Sequence, residues 1–170
     1  MTLVEVHTEI NADLQTCFDL ARDVDFYQNS LEKPNEIPIT GKISGLVEKG
    51  DYVTWETNHL ILTQHLTLKV TEFVNPVLFV DEMVKGDFKY YRHEHIFKGN
   101  ANKTLMTDRF YFEPPYGVIG KLFNKMFLEE YMRKLLIARN KALKIKAEDI
   151  AERKKKTQEV SIKPGEIIQL

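Results

Sequence analysis

FVDEMVKGDFKYYRHEHIF, residues 79–97, reads as two strands joined by a turn at Gly86-Asp87. Its second half, YYRHEHIF at 90–97, is aromatic and strand-like and carries two histidines one residue apart. Residues two apart on an extended chain share a face, so His93 and His95 are neighbours in space. Turn signals continue outward from this hairpin in both directions. GNAN at 99–102 leads into TLMTDRFYFE, Asn75-Pro76 precedes Leu78, and GLVEKGD lies at 45–51. Their spacing describes an antiparallel meander of about six strands from Glu36 to Phe112. Glu113-Pro114-Pro115 ends it, because proline has no N–H for the ladder.

The flanks complete the order. TLVEVHTEI at 2–10 alternates and reads as a first strand. Asn11 is placed to cap a short helix whose apolar positions are Leu14, Cys17, Phe18 and Ala21. A second short helix runs from about Val24 to Leu31, before Pro34. Beyond Gly117 and Gly120 a single helix of roughly thirty residues extends to about Glu148, some 45 Å at 1.5 Å per residue. Its apolar line is Phe123, Phe127, Tyr131, Leu135, Ala138 and Ala142, with Glu130, Arg133, Lys134, Lys141 and Lys144 on the wet side. Residues 149–170, with RKKK at 153–156 and KPGE at 163–166, show no periodicity. They are expected to form a mostly disordered, solvated tail outside a domain of residues 1–148.

Hairpin geometry orients the histidines. If Lys98 faces Lys103 across GNAN, then Tyr91 faces Phe110, His93 faces Asp108 and His95 faces Met106. If Gly86-Asp87 is a two-residue turn, His93 faces Val80 and Tyr91 faces Glu82. One face of these strands then carries Leu78, Val80, Glu82, Val84, Tyr91, His93, His95, Phe97, Met106, Asp108, Phe110 and Phe112, and is mostly apolar. The other sets Asp81 opposite Arg92 and Arg109 diagonal to Glu94, as a wet face should. The first face is read as inward. Leu66, Leu68 and Val70 join it if the Asn75-Pro76 loop has odd length, and Val53, Trp55 and His59 join it from the preceding strand. A one-residue slip in either hairpin would reverse a strand.

The inward face therefore holds Glu82, His93, His95 and Asp108 in an apolar shell. Each buried polar group left without a partner costs about 1–3 kcal/mol, and a charge costs more. These four must satisfy one another, meet water in a cavity, or meet a ligand. Metal ligation by the His-x-His pair with Glu82, Asp108 or His59 is the weakest of these readings, and no metal or cofactor is expected. Cys17 lies on an apolar helix face and reads as an inert core thiol. No phosphate loop, dinucleotide fingerprint or nucleophile elbow is present.

The bulk numbers narrow the classes. The chain has 170 residues, a net charge of −1 and a single cysteine. It reads as one domain without an intrachain disulfide, with no electrostatic reason to bind nucleic acid. No apolar run approaches bilayer length, and MTLVEVHTEI lacks the pattern of a signal peptide. A cytoplasmic monomer or small homo-oligomer without stable membrane insertion is expected.

An α+β chain ordered strand, two short helices, six strands and a long helix resembles the helix-grip fold. This is the fold of the START/Bet v 1-like (SRPBCC) superfamily, whose curved antiparallel sheet of about seven strands wraps the C-terminal helix around a cavity. INADLQTCFDLARDVDFY (10–27), GDYVTWETNH (50–59), FVDEMVKGDFKYYRHEHIF (79–97) and TLMTDRFYFEPPYGVIG (104–120) resemble a bacterial branch of it. The chain departs from that branch at Ala12, where proline is usual, and at Leu60-Ile61, where an aromatic-glycine pair is usual. The resemblance implies an amphipathic ligand such as a lipid, isoprenoid or polyketide, held between sheet and helix. The expected wall is Trp55, His59, Leu68, Val70, Val80, Glu82, Tyr91, His93, His95, Met106, Asp108, Phe110, Phe123, Phe127 and Tyr131. The alternative is a cyclase or dehydratase in which His93, oriented by Asp108, acts as general base.

Overall fold

The computed structural model describes residues 1–31, 36–59, 62–114 and 125–161. Strands β1 (Thr2–Ile10), β2 (Glu36–Gly41), β3 (Tyr52–His59), β4 (Leu62–Val74), β5 (Leu78–Lys85), β6 (Tyr90–Gly99) and β7 (Thr104–Glu113) form one antiparallel sheet. Its order is β1-β7-β6-β5-β4-β3-β2. Helices α1 (Leu14–Ala21) and α2 (Val24–Asn29) follow β1, and α3 (Lys125–Ser161) closes the fold. None of the described helices is both long and apolar enough to cross a membrane.

The cap of α1 is Asp13 rather than Asn11. The Asp13 carboxylate accepts from the Thr16 N–H at 2.8 Å. Asn11 instead ties the chain to α3, donating from its backbone N and its Nδ2 to Glu148 Oε1 at 2.9 and 3.1 Å. Asp23 caps α2 in the same manner as Asp13 caps α1. On α1, Phe18 is fully buried, with the rings of Phe73, Phe79 and Phe97 set edge-on at 5.5, 5.7 and 5.5 Å. This aromatic knot fills one end of the space enclosed by the sheet.

Both hairpin registers differ from the expected ones. Between β6 and β7 the shift is two residues: Tyr91 pairs with Phe112, His93 with Phe110 and His95 with Asp108. The turn keeps its four residues but sits one position further along, at 100–103 instead of 99–102. The Asn100 side chain accepts from the backbone N–H groups of Asn102 and Lys103, so the ladder closes at Gly99–Thr104. A shift of two leaves each face intact. Between β5 and β6 the offset is one residue, and Asp81 pairs with His93 while Glu82 pairs with Arg92. Here Phe88 packs edge-on against Tyr91 and Phe112 instead of starting the strand, which lengthens the turn beyond Gly86-Asp87. A slip of one turns β5 over. Asp81 therefore faces inward, and Glu82 lies on the convex side with Arg92, which binds Glu72, Glu82 and Glu94 at 2.8, 2.9 and 3.1 Å. Arg109 sits directly opposite Glu94, not diagonal to it.

The loop at 75–77 has the odd length expected. The register shift around Thr71 is the second device: Val70 pairs with Asp81 but Glu72 pairs with Val80. This bulge keeps Val70 inward beside the reversed β5.

Helix α3 buries Leu128, Leu136, Asn140, Leu143 and Ala147 against the sheet. The line through Phe127 expected from the sequence lies one residue away, a rotation of about 100°. Phe127 is accordingly 47% exposed. The helix also continues well past Glu148. Lys154 Nζ docks on Asp13 Oδ2 and Thr16 Oγ1 at 3.1 and 2.8 Å, and Asp149–Arg153 and Glu152–Lys156 pair along the helix. The segment expected to be disordered from residue 149 is thus helical to Ser161, and 162–170 lie outside the described residues.

Replacing Phe18 with alanine removes the centre of the aromatic knot and should cost about 3–5 kcal/mol of stability. Urea unfolding measures it, and a loss below about 1 kcal/mol would show that the knot does not organise this end of the fold.

Candidate functional site

Four strands and α3 meet around one buried carboxylate. The alternation of β6 sends His93 and His95 to the concave face, their rings 3.8 Å apart. Strand β7 supplies Asp108 beside His95, β5 supplies Asp81 beside His93, and α3 supplies Asn140 from above. Asp108 is 1% exposed. It accepts from His93 Nε2 at 2.9 Å, His95 Nδ1 at 3.1 Å and Asn140 Nδ2 at 2.7 Å. Asn140 Nδ2 also donates to Thr8 Oγ1 at 3.2 Å. The second nitrogen of His95 lies 3.2 Å from Asp81 Oδ2, and the Phe79 ring stacks on the imidazole at 4.1 Å.

A carboxylate only accepts hydrogen bonds, so His95 must donate from both nitrogens and is an imidazolium. His93 donates from Nε2 to Asp108, and its Nδ1 has no hydrogen-bond partner among the described residues. Burial lowers the His93 pKa further, and the neighbouring charge on His95 adds to that effect. For His95, burial is opposed and outweighed by the hydrogen bonds to Asp108 and Asp81, and its pKa rises to about 9. Burial also acts against the charge on Asp108, but its two histidine donors hold the carboxyl well below the usual range.

This network forms one wall of a cavity of about 140 Å³ between the sheet and α3. Trp55, Leu66, Leu68, Phe110, Leu136 and Leu143 supply apolar wall. Exposed His65 and Asp87 also line it, so among the described residues the cavity reaches the surface beside the β5–β6 turn. A second polar cluster stands on the wall. Arg139 of α3 donates to Glu36 Oε2 at 2.7 Å and to Tyr27 O and Ser30 Oγ, both at 3.0 Å. Its guanidinium lies 3.6 Å above the Tyr27 ring, which in turn contacts Trp55 at 4.8 Å. A smaller space of about 60 Å³ adjoins, lined by Asp81, Val70, Phe79 and the two histidines among others. Cys17 is elsewhere, in the core of α1, with its thiol pushed up to about 11 by burial.

Of the residues expected on the wall, Trp55, Leu68, Tyr91, His93, His95, Met106, Asp108, Phe110 and Tyr131 line the larger cavity. Val70 lines the smaller one. Val80 is buried on the convex side between its sheet partners Glu72 and Glu94, and Glu82 is on that side too. Both were carried over by the reversal of β5, and Phe127 was lost to the rotation of α3. The side chain of His59, and Phe123 altogether, lie outside the described residues. Sequence reasoning missed Asp81, for the same reason that it included Glu82. It also missed Glu36, Arg139 and Asn140. Asn140 was detectable as the one polar residue in the row Leu136, Asn140, Leu143, where an amide without partners would be costly.

The donor atoms of His93, His95 and Asp108 lie within 4.8 Å of one another, which is the make-up of a two-histidine, one-carboxylate ligand set. Asp81 on the far nitrogen of His95 and Asn140 on Asp108 resemble the outer hydrogen bonds that orient metal ligands. In this structure the same atoms bind one another, and an ion would have to displace the proton that each imidazole gives to Asp108.

No family model matches the chain, and no curated protein is similar to it. Solved structures are. A START superfamily protein from Mycobacterium smegmatis superposes with a TM-score of 0.64 at 14% identity, covering 87% of this chain and 98% of that one. The Zhui aromatase/cyclase from a Streptomyces strain gives 0.63 at 13%, with 86% and 93% covered. Norcoclaurine synthase from Thalictrum flavum, in complex with dopamine and hydroxybenzaldehyde, gives 0.56 at 11%, with 82% and 84% covered. At these identities the likeness establishes the fold: the chain is a helix-grip protein of START/Bet v 1-like architecture.

The elevated pKa of His95 links the network to stability. Its contribution is complete below the unfolded-state pKa of 6.5 and disappears as pH rises through about 9. At about 1.4 kcal/mol per pKa unit, the wild type should lose on the order of 3 kcal/mol across that window. Asp81→Asn should lose less, since one of the two carboxylates holding the proton is gone. Urea unfolding at both ends of the window measures this, and equal losses in the two proteins would contradict the assignment of the charge to His95.

Proposed function

We propose that this chain binds an amphipathic small molecule in the cavity between the sheet and α3. The observation that carries the reading is an apolar chamber with a fixed polar network on one wall. A protein needing only stability would fill such a space, since packed interiors leave few voids larger than a water molecule. Ligand sites have this composition, mostly apolar with a few fixed polar groups. The volume of about 140 Å³ is close to that of an apolar protein cavity of about 150 Å³ that accepts benzene. The space therefore suits a ring or a short branched chain, with room for more of the ligand toward the surface beside Asp87. The family resemblance of the sequence suggests lipids, isoprenoids or polyketide-like molecules as the class. The likeness to an aromatase/cyclase and to a synthase holding dopamine and hydroxybenzaldehyde is consistent with small ring-bearing guests.

A second reading is an enzyme of cyclase or dehydratase type. It is favoured by the tautomer of His93, which leaves a basic Nδ1 on a ring held in place by Asp108. A proton taken from a bound ligand would reside on Nδ1, and Asp108 would stabilise the resulting imidazolium. In this reading His93→Gln abolishes turnover while ligand affinity stays within about tenfold. In the binding reading there is no turnover to lose.

Trp55 is the single tryptophan and stands on the cavity wall, so it reports occupancy. The neutral dye N-phenyl-1-naphthylamine should quench its emission by energy transfer on binding. Native mass spectrometry of the purified protein should in addition show a co-purified small molecule for extraction. Leu68→Trp, which fills the wall opposite α3, should weaken dye binding by about tenfold or more while the circular dichroism remains that of the wild type. Absence of both adduct and dye binding, or equal dye binding by the two proteins, would overturn the reading.

A further inference from the structure

We infer that the ligand of this chamber presents a neutral hydrogen-bond donor, a phenolic or alcoholic hydroxyl, to His93 Nδ1, and that anionic head groups are excluded. The inference rests on the chamber being a binding site and concerns which polar end it selects.

The charged donors on the wall are already committed. His95 gives both its ring protons to Asp108 and Asp81. Asn140 gives its amide to Asp108 and Thr8. Arg139 is held by Glu36, Tyr27 O and Ser30 Oγ, and its Nε, which has no partner among the described residues, is buried away from the open space. What stays open beside the network is an acceptor. Asp108 can only accept, so His93 carries its proton on Nε2 and leaves the Nδ1 lone pair without a partner among the described residues. The ring is 8% exposed and lines both cavities, so that lone pair has little water to meet. A ligand hydroxyl would give it the missing bond. The Tyr91 hydroxyl on the same wall is kept neutral by burial and can accept from or donate to the same group.

Charge points the same way. Asp81, Asp108 and Glu36 stand against His95 and Arg139, three carboxylates to two cations. A carboxylate or phosphate entering here would leave water for a site with a surplus negative charge and with both cations already paired.

The experiment is calorimetric titration of the intact protein with three ligands of similar shape: 4-propylphenol, 4-propylanisole and 4-propylbenzoate. The phenol should bind about tenfold or more tighter than the anisole, which cannot donate, and the benzoate should bind most weakly. In His93→Phe the preference for the phenol over the anisole should fall below about threefold. If that variant does not fold, the ranking on the wild type decides alone. Equal binding of phenol and anisole, or tightest binding of the benzoate, would overturn the donor rule and leave the binding function standing. Failure of all three to bind would also overturn the donor rule, while the dye and adduct measurements decide the binding function separately.

Discussion

A carboxylate that is 1% exposed, set among phenylalanines, is the constraint on which the rest of the structure depends. Asp108 cannot stay charged in such a place without close donors, because the cost of removing an unpaired charge from water is several kcal/mol or more. Three donors from two elements meet that need: two imidazoles of β6 and the amide of Asn140 on α3. Each of those groups would be costly there without Asp108. The network also fixes the helix against the sheet at a polar point, whereas its other buried contacts, through Leu136, Leu143 and Ala147, are apolar and less demanding of exact position.

The two-carboxylate clamp on His95 divides the labour between the histidines. With both nitrogens donating, His95 is a permanent cation near neutral pH and serves as the internal counter-ion of Asp81 and Asp108. Burial keeps His93 neutral, and the charge on the His95 ring 3.8 Å away adds to that effect. Two identical side chains two residues apart thus take different protonation states because their surroundings differ. The polar wall becomes an ordered row in which His93 Nδ1 has no hydrogen-bond partner among the described residues. The apolar part of the chamber exists because α1 and its aromatic knot fill only one end of the sheet's concavity.

Much of this was legible in the residues, and the misses follow particular physical rules. The element order, the seven strands and the inward orientation of His93 and His95 came from period-two alternation and from turn residues. Those signals depend on local chemistry, and parity preserved the orientation even where the β6–β7 register moved by two. Asp81 and Glu82 were exchanged because turn length at Gly86 is decided by a tertiary contact, the docking of Phe88 on Tyr91 and Phe112, which no local pattern announces. The bulge at Thr71 likewise exists to reconcile β4 with the reversed β5. The Arg139–Glu36 pair was hidden because its members lie 103 residues apart in sequence, and Asn140, detectable as a polar residue in an apolar row, gave no local sign of its partners Thr8 and Asp108. The long reach of α3 was missed since its last turns look polar throughout, and their docking relies on Lys154 meeting Asp13 and Thr16.

The protonation pattern of the two imidazoles tests the account most directly, and long-range nitrogen-15 correlation spectra of uniformly labelled protein read it. Near neutral pH, His95 is expected to show both ring nitrogens protonated, and His93 to show protonation at Nε2 alone. A neutral His95, or a charge residing on His93, would contradict the arrangement around Asp108 and with it the chemistry assigned to the chamber.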